Sequence, residues 1–231
     1  EKRFEKEAQS MTQKPLEEEQ IQLFFSDIEP LATSKVLVRL ENVTLSIGQR
    51  ILSQGLQLTV RGQDKIGIIG PNGVGKSTLL AKLQQLLSGK REISLGFMPQ
   101  DYQETLNLDL SPVEFLSQTG HKEEIQKIQS RLASLNFSYP EMHHHIHSLS
   151  GGQQGKLLLL NLVLRKPNFL LLDEPTRNFS PTSQPEIRKL FANYSGGLIT
   201  VSHDRRFLKE VCTNIYRLTK HGLEVVDLQD L

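Results

Sequence analysis

Cysteine occurs once in the 231 residues, at Cys212, so no intramolecular disulfide can form and a reducing, cytoplasmic setting is expected. No positively charged and then apolar leader of the secretory kind opens the chain. Long hydrophobic runs are missing too. The most apolar stretch, Leu157 to Leu164, is broken by Asn161 and falls far short of the roughly 20 residues that a membrane helix needs. An excess of one charge is also lacking: 27 Lys and Arg against 26 Asp and Glu leave a net +1. Neither a strongly basic nucleic-acid footprint nor an acidic disordered tail is announced by that balance. The length suits one ordinary domain with an appendage.

The balance hides an asymmetry. Glu1 to Glu29 carries four basic and eight acidic residues, a net of −4, which leaves +5 for the remainder. Apolar residues are sparse there. Glu1 to Met11 reads as the solvated end of a long helix, and Pro15 with the Glu17 to Glu19 run as its exit into a linker. A start at Glu1 inside a charged helix suggests a piece of something longer.

From Val36 the pattern changes to short β-type runs, Val36 to Leu40, Gln57 to Val60 and Lys65 to Ile69, separated by Gly48, Gly55 and Gly62. Leu79, Leu80, Leu83, Leu86 and Leu87 have the three-and-four spacing of a helix face, which predicts a helix over Ser77 to Leu87. Ile93 to Met98 returns to strand character. Ile125, Ile128, Leu132 and Leu135 predict a helix over His121 to Leu135, within a helical insertion at about 105–150. A helix from Gly155 to Arg165, a strand Phe169 to Leu172, a helix near Pro185 to Asn193 and a strand Leu198 to Val201 follow. Alternating strands and helices imply a largely parallel sheet.

Gly70-Pro71-Asn72-Gly73-Val74-Gly75-Lys76-Ser77-Thr78 fits G-x-x-x-x-G-K-[ST] between a strand and a helix, the context that gives this motif its meaning. Glycines let backbone N–H groups face phosphate oxygens, and the helix that follows turns its positive end to the same anion. Lys76 would reach the β- and γ-phosphates. Ser77 would ligate Mg²⁺, a hard ion that prefers oxygen. Phe169-Leu170-Leu171-Leu172-Asp173-Glu174 is an apolar strand ending in two carboxylates, delivered beside the phosphate loop if the sheet is parallel. Asp173 suits the Mg²⁺ shell, and Glu174 suits the general base for an attacking water.

Leu149-Ser150-Gly151-Gly152-Gln153, between these motifs, resembles the signature of ATP-binding cassette proteins. Read physically, Ser150 and the glycines would open the helix beginning near Gly155 and offer a hydroxyl and amides to a phosphate. The resemblance implies an ABC-type P-loop cassette: a parallel α/β core, an N-terminal antiparallel β subdomain and an inserted helical subdomain. It also implies that Ser150, Gly151, Gly152 and Gln153 act in trans, on ATP held by a second cassette. By the same resemblance Gln100 touches Mg²⁺ and water, and His203 in Ser202-His203-Asp204 contacts the γ-phosphate. The match runs from Val36 to about Leu228.

Ser202-His203-Asp204-Arg205-Arg206-Phe207-Leu208 is similar to the run found in the ABC-F branch, soluble twin-cassette ATPases that act on the ribosome. That resemblance makes residues 1–35 the end of an interdomain linker and 36–231 the second cassette. It implies the ribosome and tRNA as partners and no membrane insertion. The ATP-binding subunit of a membrane transporter is the alternative; a nucleotide-controlled module that does not hydrolyse is a second. Two departures stand out. Asp173-Glu174-Pro175-Thr176 continues as Arg177-Asn178-Phe179-Ser180-Pro181, with Ser180 where the branch has Asp, a variant that resembles second cassettes of the Gram-positive antibiotic-resistance subgroup. Ile47 stands where cassettes often carry an aromatic that stacks on adenine. His143, His144, His145 and His147 read as a solvated loop rather than a metal site, because adjacent residues point in different directions and no third ligand is near.

Overall fold

The computed structural model describes residues 23–231. The charged helix expected over Glu1 to Met11 lies outside the described residues. Just downstream, Leu23 is buried, and the Phe25 ring packs 4.8 Å from that of Tyr194 and 6.2 Å from that of Phe191, centroid to centroid. The segment ahead of Val36 is therefore laid against the body of the fold.

Strands β1 (Val36–Ile47) and β2 (Arg50–Arg61) form an antiparallel hairpin turned at Gly48, whose φ of 56° the tight reversal requires. Both strands are 12 residues long, longer than the runs read from the sequence. The reason is a set of register shifts on both strands. The register gains a residue on β1 around Asn42 and one on β2 around Gly55, both at positive φ, so the apolar alternation skips a beat while pairing continues.

The rest follows in order: β3 (Lys65–Ile69), α1 (Lys76–Ser88), β4 (Leu95–Met98), α2 (Pro112–Leu116), α3 (Lys122–Ser134), α4 (Tyr139–His143), α5 (Gly151–Arg165), β5 (Phe169–Asp173), α6 (Gln184–Ala192), β6 (Gly197–Val201), α7 (Arg205–Val211), β7 (Asn214–Thr219) and β8 (Gly222–Val226). Six strands make one sheet in the order β4-β5-β6-β3-β7-β8, parallel except for β8. This is the α/β cassette architecture expected, with an antiparallel hairpin ahead of a parallel core and a helical insertion. The closing hairpin β7–β8 was not anticipated from the sequence. It touches the first hairpin, where the Gln54 N–H donates to the carbonyl of Lys220 at 3.0 Å.

Strands β5 and β6 are buried along their whole length, as near-continuous apolar runs covered on both faces should be. Leu170, Leu172 and Leu198 face the core built with α5, α6, α7 and the insertion; Phe169, Leu171, Ile199 and Val201 face the core under α1 and the β1–β2 hairpin. The insertion is held by local chemistry. Capping boxes Ser111–Glu114 and Ser138–Glu141, each with a proline in the first turn, start α2 and α4. Backbone N–H groups of Gln118, Thr119 and Gly120 converge on the Glu124 carboxylate, and those of Gln118 and Thr119, with the Thr119 and Ser117 hydroxyls, lower its pKa to about 2.

Strand order positions the site. The chain leaves β3, crosses through α1 and enters the sheet at its far edge as β4, leaving β5 and β6 to be inserted between them. Register pairs Ile68 with Val201 and Val201 with Asp173, so the C-terminal ends of β3, β6 and β5 lie side by side. Loops that leave those three ends share one crevice.

Candidate functional site

The loop after β3 carries Gly70, Gly73 and Gly75 at φ of 149°, 77° and 106°. Two of them are also sterically required. A Cβ at Gly70 would lie 2.6 Å from the Leu218 carbonyl oxygen, and one at Gly75 would lie 3.2 Å from Leu52 on β2. The β1–β2 hairpin is thus packed directly on the loop. Helix α1 begins after Gly75 with no side-chain cap and no acidic residue in its first turn, so its leading N–H groups are left for an anion.

Lys76 donates to the carbonyls of Gly70 at 2.8 Å and Pro71 at 3.0 Å. Burial lowers its pKa, opposed by the nearby charges of Glu174 and Asp173. Ser77 Oγ donates to Asp173 Oδ2 at 2.9 Å, which ties the phosphate loop to the end of β5. Burial raises the Asp173 carboxyl, with the Ser77 hydrogen bond and Lys76 acting against it. Glu174 sits just beyond, at φ 51°, and its N–H donates to the Val201 carbonyl at 2.9 Å. Burial raises this carboxyl as well; the His203 N–H that it accepts and the His203 ring oppose the shift.

These groups line one cavity of about 670 Å³, with Gln100 on the same wall and Ile47 and Leu52 at the hairpin end. Of the predicted loop residues, Asn72, Gly73, Gly75, Lys76, Ser77 and Thr78 face it. Gly70 and Pro71 instead turn carbonyls to Lys76, and Val74 is buried in the core. Glu174 and His203 are on the same cavity, so the structure brings together every residue read as catalytic or metal-binding.

The signature is elsewhere. Helix α5 starts at Gly151, four residues earlier than expected, because Ser150 is itself the N-cap: its Oγ accepts from the Gln153 N–H, and the Gln153 side chain returns to the Ser150 N–H at 3.0 Å. Gln153 also donates to Glu141 Oε1 at 2.7 Å, which pins the helix start to α4. Ser150, Gly151, Gly152 and Gln153 do not line the phosphate cavity; Gly151 borders a neighbouring groove that shares Gln100 and Asp173 with it.

The sequence model of the family described as ABC transporter matches residues 53–177. The chain belongs to that family. Among curated relatives, the cassette is 31% identical over 210 residues to the "Probable ATP-binding protein YheS" of Escherichia coli (strain K12), covering 88% of this chain and 33% of the relative. It is 30% identical over 229 residues to the "Ribosome protection protein VmlR" of Bacillus subtilis (strain 168), covering 96% and 41%. To "ABC transporter F family member 2" of Arabidopsis thaliana it is 27% identical, covering 96% and 34%. The cassette therefore spans about a third of the length of these relatives. A solved structure titled as a dimeric, post-hydrolysis state of the ATP-binding cassette MJ0796 bound to ADP and Pi shares the fold, with a TM-score of 0.68 at 20% identity over 82% of this chain and 98% of the other.

Two features of the cassette escaped sequence reasoning. Leu52 forms part of the cavity wall because β2 packs against the loop at Gly75. Arg177, noticed only as a departure from a family pattern, also lines the cavity. The histidine run divides between elements: His143 ends α4 and meets Gln129, while the His145 and His147 rings stack at 5.4 Å. Among the described residues no three His, Cys, Asp or Glu side chains are grouped to hold a metal, and no helix is long and apolar enough to cross a membrane.

Proposed function

We propose that this chain is the second cassette, residues 36–231, of a cytoplasmic twin-cassette ABC-F protein that binds and hydrolyses ATP and acts on the ribosome, with residues 1–35 as the end of the linker between cassettes. The observation that carries the catalytic part is the convergence of Lys76, Ser77, Asp173, Glu174 and His203 on one cavity at the C-terminal sheet edge. Support for the branch comes from relatives named as F family members and as a ribosome protection protein, and from their length, roughly two and a half to three times that of this chain. The ribosome-protection relative also favours the resistance subgroup, with tRNA close to the linker.

The loop amides and the α1 N-terminus hold the phosphates, and Lys76 exchanges its two carbonyl partners for phosphate oxygens. Ser77 and Asp173 present hard oxygens 2.9 Å apart with Gln100 on the same wall, a donor set that fits Mg²⁺. When bound there, the ion neutralises phosphate charge. Glu174, its carboxyl raised by burial toward the range useful to a base, orients water and accepts its proton. His203, about half exposed on the same cavity, is read as the contact to the γ-phosphate.

Ser150, Gly151, Gly152 and Gln153, away from their own phosphate cavity, serve the nucleotide of a second cassette. Ser180 replaces the acidic residue of the usual pattern with a neutral hydroxyl bonded to Thr182 and Ser183, so signalling between the paired sites differs.

The test is co-sedimentation of the intact protein with purified ribosomes and, separately, with membranes. ATP-dependent retention on ribosomes, strengthened by Glu174→Gln, is expected. Association with membranes alone would return the transporter reading.

A further inference from the structure

We propose that Arg177 is the cassette's sensor of the third phosphate, a guanidinium that binds the γ-phosphoryl group of ATP held in its own cavity and so separates ATP from ADP. The inference rests on the nucleotide-binding reading of that cavity.

Arg177 is exposed at the cavity rim, while its neighbours in the turn are anchored: Thr176 is 3% exposed and Phe179 6%. The Arg177 N–H donates to the Glu174 carbonyl at 3.1 Å, and the Phe179 N–H donates to that of Thr176 at 3.3 Å. The turn is thus fixed at both ends, and Arg177 is the cation it presents. Among the described residues its guanidinium is in no ion pair, whereas the Arg188 guanidinium is paired with Glu210 and Lys166 with Asp27. Its donors are therefore available to a ligand.

Position decides which phosphate it meets. The loop amides and the start of α1 line the cavity and suit the phosphate chain of a nucleotide. Asp173, Glu174 and His203 line the same cavity as the loop, with Asp173 held 2.9 Å from the Ser77 hydroxyl, and Arg177 follows Glu174, the residue read as the base beside the terminal phosphate, by three residues on the same turn. Asp173 and Glu174 set two carboxylates beside the terminal phosphate, and Arg177 adds a second cation next to Lys76 that offsets their repulsion. Arginine answers this with a planar fork of donors that matches two phosphate oxygens, a geometry lysine cannot reproduce. ADP lacks the γ-phosphoryl group, so the contact adds nothing to its binding.

The test measures affinities of the protein for ADP and for a non-hydrolysable ATP analogue, with Mg²⁺, in the unaltered form and in Arg177→Ala, Arg177→Lys and Lys76→Ala. Loss of one charge-assisted phosphate contact predicts about a tenfold weaker ATP-analogue affinity in Arg177→Ala, unchanged ADP affinity and an intermediate Arg177→Lys. Lys76→Ala should weaken both. Equal effects of Arg177→Ala on both nucleotides, or no effect on either, would overturn the inference while Lys76→Ala still upheld the nucleotide site. Failure of the unaltered protein to bind either nucleotide would remove the underlying reading and the inference with it.

Discussion

Glu174 accepts a hydrogen bond from the His203 backbone N–H at 3.2 Å, and its other carboxylate oxygen lies 3.5 Å from His203 Nε2. The contact joins the loop after β5 to the loop after β6. It is reached from a left-handed backbone, φ 51°, that a glutamate adopts only at a cost of order 1–3 kcal/mol. The strained backbone fixes the Glu174 carboxylate against the next loop, in the cavity that also holds Lys76 and Asp173.

Replacing that carboxylate by an amide keeps its shape and removes its basicity. Glu174→Gln in the intact protein should retain ATP binding within a few-fold and lower phosphate release by roughly 10²-fold or more, the range for loss of a general base. Phosphate release under single-turnover conditions, measured beside nucleotide affinity, checks this. Wild-type turnover in the variant would remove Glu174 from the chemistry.

Stability should move the other way. Burial raises the carboxyls of Asp173 and Glu174 above their ordinary values of 3.8 and 4.5, so the folded state holds their protons more tightly than the unfolded chain does. Their contribution to stability is present below those ordinary values and is lost as pH rises through the folded-state ones. Asp173→Asn and Glu174→Gln should therefore raise Tm at pH 7 without nucleotide or Mg²⁺, and the gain should shrink toward zero below about pH 4. Thermal melts at the two pH values decide it; a Tm that falls at pH 7 would contradict it.

Much of this site was readable in the chain because its signals are local. The phosphate loop needs glycines at fixed offsets, and β5 needs an apolar run that ends in acids; both are satisfied by neighbouring residues. What was missed depends on distant ones. The long β1–β2 hairpin hides behind bulges at Asn42 and Gly55 that interrupt its alternation. The apolar run points to a start of α5 near Gly155, yet Ser150 and Gln153 cap each other across the two glycines and begin it at Gly151. Arg177 has no local signature as a cavity residue; only the strand order that sets β5 beside β6 and β3 brings its turn to the cavity.

Gly155 is a second place where only tertiary structure explains the residue. A Cβ there would lie 2.8 Å from Phe179 Cζ and 3.0 Å from the Tyr102 hydroxyl, so the signature helix, the loop after β4 and the turn after β5 meet with no room for a methyl. Gly155→Ala improves helix propensity by up to about 1 kcal/mol and overpacks this junction by about 1–3 kcal/mol. Net destabilisation is expected in chemical denaturation, and a stabilised variant would show that the three segments are free to part.

Ile47 tests the base end of the cavity. It is 64% exposed at the tip of β1 and lines the wall with Leu52, offering an aliphatic surface in place of an aromatic ring. An aliphatic wall excludes water from a purine without distinguishing adenine from guanine, so ATP and GTP analogues should bind with similar affinities. Ile47→Tyr supplies a stacking face worth roughly 1–3 kcal/mol per base. It should tighten purine nucleotide binding about tenfold or more and leave inorganic triphosphate unaffected, since phosphate contacts are untouched. Titration with the three ligands reads this directly; a strong preference of the unaltered protein for ATP would mean that groups other than Ile47 and Leu52 read the base.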